Sequence, residues 1–71
     1  MNMLIELEKG AGFHASGKLQ RAERVYRHIL EQDSKNKEAL NLLGILLRDQ
    51  GNFKEAESYF LTAVDLDNQR R

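Results

Sequence analysis

The chain has 71 residues, with eleven basic and eleven acidic side chains, no proline and no cysteine. Its length allows one small core, burying only about 60% of the surface the unfolded chain exposes, and the missing cysteines exclude disulfides and thiolate metal sites and suit a reducing compartment. Zero formal charge argues against a dedicated nucleic-acid binder; no apolar run nears the roughly 18 to 20 residues of a membrane span, and Met1–Glu6 lacks the basic lead of a secretory signal, so the expected location is cytoplasmic.

In chain order, the first helix is expected from about Met3 to Ser16, with Asn2 as its cap. Its apolar residues (Leu4, Ile5, Leu7, Ala11, Phe13) do not form one narrow stripe. With Ile5, Gly10 and Phe13 turned to a partner helix, Leu4, Leu7 and Ala11 point elsewhere. Gly17 should end this helix in a left-handed position. The second helix, about Leu19 to Gln32, is cleaner: Leu19, Ala22, Val25, Tyr26, Ile29 and Leu30 recur at helical spacing. Lys18, Arg21, Arg24, Arg27 and His28 fill the other side, and the plain reading is a solvated face interleaved with Glu23 and Glu31. No aromatic residues stand among these arginines to stack on bases.

Asp33-Ser34-Lys35-Asn36 holds no glycine or proline, so the next boundary rests on Ser34 or Asn36 as an N-cap. The third helix runs from about Lys37 to Gln50 and Gly51 stops it. Asn52 and Glu55 are spaced as a capping box for the fourth, which reaches about Asp67. Gln69-Arg70-Arg71 should form a frayed tail.

Displacing the sequence by thirty-four residues lays Gly10 on Gly44, Gly17 on Gly51, Ala22 on Ala56, Glu23 on Glu57 and Asp33 on Asp67. Phe13 falls on Leu47, Leu19 on Phe53, Tyr26 on Phe60 and Leu30 on Val64. One helical hairpin per period of this length is the signature of a helical solenoid. The second copy carries Leu40-x2-Leu43-Gly44-x2-Leu47, then Ala56-x3-Phe60, and so resembles the tetratricopeptide repeat. The first copy matches at Gly10, Phe13, Gly17, Ala22 and Tyr26, but has Glu6 and Lys9 at the two leading apolar positions. Ser34 and Asn68 stand where that family has proline. The fold expected is all-α: two tandem antiparallel helix-turn-helix repeats, about 3–36 and 37–70, forming one domain and a fragment of an α-α superhelix. Gly10, Ala22, Tyr26, Leu40, Leu43, Gly44, Ala56 and Phe60 are its packing residues. The glycines and alanines among them let backbones approach.

In the family resembled, the first helix of each repeat lines a groove for peptides or partner helices. By position, Leu4, Leu7, Ala11, His14 and Ala15, then Glu38, Asn41, Ile45, Arg48 and Asp49, would line it here. Leu4, Leu7, Ala11 and Ile45 would be its apolar wall; His14, Asn41 and Arg48 its polar lip. The resemblance does not extend to the branch that clamps a peptide carboxylate with Lys and Asn, since those positions hold Leu7, Ala11, Asn41 and Ile45. Nor does it reach the branch with an asparagine ladder, where Glu8 and Leu42 stand. A plainer reading leaves Leu4 and Leu7 as part of a loosely patterned terminal helix.

Catalytic chemistry has no foothold in the pattern. His14 and His28 lie on different helices, neither with a carboxylate or second histidine at metal-ligand spacing on its own face. Glu6/Glu8 and Asp65/Asp67, two residues apart on helices, point to different faces. No phosphate-binding glycine loop is present. The expectation is a protein-interaction module, not an enzyme, without cofactor or metal, and with a protein or peptide partner rather than nucleic acid or membrane. A docking segment of a larger enzyme is the alternative, and a nucleic-acid adaptor using Arg21, Arg24 and Arg27 stands behind it. With two repeats, fewer than the roughly three such arrays use, and no fifth helix to cover Leu46, Leu61 or Val64, the chain is expected to form a homodimer or to belong to a larger array. One route is a two-fold contact; another fuses the second and third helices into a swapped dimer.

Overall fold

A computed structural model of the chain describes residues 3–68. Four helices follow one another: α1 Met3–Ala15, α2 Leu19–Gln32, α3 Lys37–Asp49 and α4 Phe53–Asn68. These boundaries lie within about a residue of those the pattern implies. The expected cap at Asn2 and the tail at 69–71 fall outside the described residues.

Two glycines set the hairpin turns by the same device. Gly17 and Gly51 have φ of 81° and 86°, where a Cβ would be strained. Beside the first, the amide of Gly17 donates to His14 O at 3.0 Å and that of Lys18 to Phe13 O at 2.8 Å. Gly51 and Asn52 repeat the pair on Arg48 O and Leu47 O at 3.0 and 2.8 Å. Both helices therefore close in Schellman motifs, which satisfy carbonyls the helix leaves open. Between the hairpins, polar side chains replace glycine. Asp33 Oδ1 accepts from the Lys35 amide at 3.3 Å, and the Asn36 side chain caps α3 by accepting from the Ala39 amide at 3.0 Å. Asp33, at φ −141° and ψ 85°, breaks the helical path. Helices α2 and α3 are thus separate, and the fused-helix route is not the one taken.

Helix α1 pairs with α2 and α3 with α4, while α3 also packs on α2 and touches α1. Small residues permit the intra-hairpin crossings. A Cβ on Gly10 would stand 2.6 Å from Tyr26 Cε1, and one on Gly44 would stand 2.7 Å from Phe60 Cε1. The aromatic ring of each second helix thus lies directly on the backbone of the first. Ala22, Tyr26, Ile29, Ala39, Leu43, Leu46, Leu47 and Ala56 form a continuous buried cluster with Leu7.

Three expectations are corrected by this packing. Leu46 is fully buried, not exposed: α3 is covered by hairpin one on one side and by α4 on the other, so it hides more than one stripe. Ile5 is about half exposed. It lies five residues from Gly10, roughly 140° around the helix, and so does not share that face. Leu7 is 7% exposed and belongs to the core. Three residues before Gly10, it is that glycine's neighbour on the helix surface.

Candidate functional site

Groove positions on the first helix of each repeat come from helical spacing. Leu4, Leu7, Ala11 and His14 fall along one side of α1, and Asn41, Ile45 and Arg48 along one side of α3. Leu4, Ala11, Asn41 and Arg48 are exposed, while His14 and Ile45 are half-buried. Leu7 supports this surface from beneath rather than lining it. Of the four residues expected to form an apolar wall, Leu4, Ala11 and Ile45 remain accessible at this surface.

Two of the three residues of the expected polar lip, His14 and Arg48, are linked through Asp49. His14 Nε2 and Asp49 Oδ2 lie 2.8 Å apart, and Arg48 Nε stands 3.8 Å from the other oxygen of Asp49. Asp49 therefore joins α1 to α3 and leaves the Arg48 guanidinium at the rim. The two bridging residues are thirty-five apart, one more than the repeat period, so they hold adjacent positions on consecutive repeats.

A second tie joins the second helices of the two repeats. Arg27 Nε donates to Glu23 at 2.8 Å, Nη1 to the Tyr59 hydroxyl at 3.0 Å and Nη2 to Glu55 at 3.0 Å. Burial works against its charge, but hydrogen bonds to Glu23 and Glu55, with Tyr59 beside them, hold its pKa above the ordinary arginine value. Arg27 is thus an inter-repeat strut and not a member of a free basic face. Glu55, expected to reach back to Asn52, has its carboxylate on Arg27. Only the Glu23–Arg27 spacing of four is legible in the sequence as a pair. Lys37 of α3 and Asp67 of α4 form a further ion pair.

Metal chemistry has no cluster to work with: no group of three or more His, Asp or Glu able to hold an ion occurs among the described residues. His28 does have a carboxylate on its own face, with Nδ1 3.9 Å from Glu31, which corrects the reading from spacing; Gln32 lies 3.1 Å from its Nε2. Among the described residues no helix is long and apolar enough to cross a membrane.

A tetratricopeptide repeat family model matches residues 8–70. The chain belongs to the tetratricopeptide repeat family. Members of this family are generally non-catalytic protein-interaction scaffolds. The match spans both hairpins and takes in most of the first repeat, including Lys9 at one of the leading apolar positions. No curated protein is similar enough to this tetratricopeptide repeat chain to count as a match.

Proposed function

We propose that this tetratricopeptide repeat domain binds a peptide or partner helix on the surface shared by α1 and α3. The observation that carries the reading is the His14–Asp49 bridge, which links the first helices of the two repeats across this surface. Leu4, Ala11 and Ile45 then supply apolar contact, and Asn41 and Arg48 supply hydrogen bonds at the edge. Pairing an apolar strip with a few convergent polar groups suits a short amphipathic segment better than an ion or metabolite. The exposed guanidinium of Arg48 favours a partner with a carboxylate near one end of its apolar stretch.

Selection of displayed peptides against the full chain tests this. Selected peptides should share an apolar residue followed by an acidic one. They should lose binding to Arg48→Glu and to Ile45→Glu, and keep it to Arg21→Glu. Arg48 is exposed, so its variant reports binding even where Ile45→Glu lowers stability. Binding indifferent to both groove variants would refute the proposal.

A second reading concerns copies of the chain. Leu61 and Val64 on α4 are 58% and 52% exposed, and their position favours self-association. Sedimentation velocity from micromolar to millimolar concentration tests it, and a monomer throughout would refute it.

A further inference from the structure

At one end of the α1–α3 surface a single carboxylate stands between two basic side chains of different kinds. His14 Nε2 lies 2.8 Å from Asp49 Oδ2, and Arg48 Nε lies 3.8 Å from Asp49 Oδ1. A guanidinium is always charged, whereas an imidazole changes its charge near physiological pH. With His14 neutral, Arg48 and Asp49 cancel and the cluster carries no net charge. With His14 protonated, the cluster carries one net positive charge. His14 and Arg48 each stand in the last turn of their helix, where the helix dipole is negative. Arg48 beside Asp49 is therefore a weak seat for an anion until a second cation joins it.

The other groups around His14 supply no comparable switch. On α1 the residues one turn back, Gly10 and Ala11, are uncharged. From α3 it faces Asp49 and Arg48. Toward α2 the nearest charges in sequence are Lys18 in the turn and Arg21 in the first turn, and lysine and arginine ordinarily stay cationic well above neutral pH. Among the described residues α4 does not pack on α1. The second histidine, His28, lies on α2 with Glu31 3.9 Å from its Nδ1.

Resting on the peptide-binding reading above, we infer that His14 sets the charge this surface accepts, so that its protonation raises affinity for an acidic segment. The protonated imidazole offsets Asp49, which otherwise repels an incoming carboxylate, and leaves the Arg48 guanidinium to receive it. The His14 side chain is only 18% exposed, so its charge is screened less than that of a fully solvated group. Arg48, at 55%, stays within reach of a ligand.

Calorimetric titration of the full chain with a peptide selected against it tests this. The peptide is capped at both ends, free of histidine, and carries an apolar residue followed by Glu. Between about pH 8 and about pH 5.5 its carboxylate stays ionised while histidine gains a proton. Its Kd should fall by roughly two- to tenfold over that interval. The same peptide with Gln in place of Glu should bind equally at both ends of the range. His14→Gln should bind the Glu peptide with one Kd throughout, and His28→Gln should keep the parent's dependence. A parent Kd that does not change, or a Gln peptide that tightens as much as the Glu peptide, would overturn the inference and leave the binding surface standing. A dependence that survives His14→Gln, or that is lost on His28→Gln, would overturn it likewise. Binding indifferent to Arg48→Glu and Ile45→Glu would remove the peptide-binding reading and this inference with it.

Discussion

Three glycines of α1 and α3 make an internally controlled test of how closely the helices cross. Gly12 lies within α1, and a Cβ added there would meet nothing within 4 Å, so Gly12→Ala changes helix propensity alone and should stabilise by about 1 kcal/mol. Gly10, two residues earlier, gains the same propensity but places its methyl 2.6 Å from Tyr26 Cε1 and 3.1 Å from Cζ. Tyr26 is fully buried, so its ring has nowhere to retreat, and overpacking of this kind costs about 1 to 3 kcal/mol. Gly10→Ala should therefore lie about 1 to 3 kcal/mol below Gly12→Ala and near or below the parent. Gly44→Ala meets Phe60 at 2.7 Å, but that ring is only half-buried, so its penalty should be the smaller of the two. Thermal melts followed by far-ultraviolet circular dichroism at one fixed protein concentration would resolve the series, since 1 kcal/mol shifts Tm by roughly 4 to 8 °C in a domain of this size. Gly10→Ala melting as high as Gly12→Ala would refute the close crossing.

Tyr26 carries a buried hydroxyl without a hydrogen-bond partner, while Phe60 holds the equivalent place with no hydroxyl, so Tyr26→Phe should stabilise by about 1 kcal/mol in urea titrations; a loss of that size would show the hydroxyl to be satisfied. Burial also raises the Tyr26 pKa above 10.0, so above that pH the unfolded chain gives up this proton first and stability falls as pH rises. The same variant should remove that part of the alkaline loss, and parent and variant falling in parallel from neutral pH to beyond pH 10.0 would contradict it. Asn36→Ala removes the α3 cap and should cost about 1 kcal/mol by the same titration, with no change refuting the cap as drawn. Arg27→Gln should cost about 1 kcal/mol, kept low because the guanidinium is partly exposed, and a double-mutant cycle with Glu55→Gln should show coupling; strict additivity would mean the strut carries no energy.

Repeat period, hairpin turns and crossing glycines are legible in the sequence because each depends on one residue type at one offset. Gly17 and Gly51 mark turns that need positive φ, and Gly10 and Gly44 mark the same crossing twice. The groove is less legible, for a physical reason. Positions carried over from a repeat pattern state which helix a residue lies on, but burial depends on how many neighbours that helix has. Repeat position puts Leu7 on the wall, although its spacing of three from Gly10 already sets it beside the packed face. Leu46 falls on an outer face only if α3 has one covered side, whereas it has two. Pairs such as Arg27 with Tyr59, or His14 with Asp49, join residues about one repeat apart. No local spacing rule reaches that far; the repeat register, applied to charged residues as to glycines, is the signal that finds them.

Whether α1 and α3 present the binding surface is tested most directly by an amide chemical-shift map of the full chain, titrated with a peptide selected against it. Shifts should concentrate at Leu4, Ala11, His14, Asn41, Ile45 and Arg48, with Arg21 and Arg24 on α2 unmoved. Shifts centred on α2 or on the outer face of α4, with α1 and α3 silent, would contradict it.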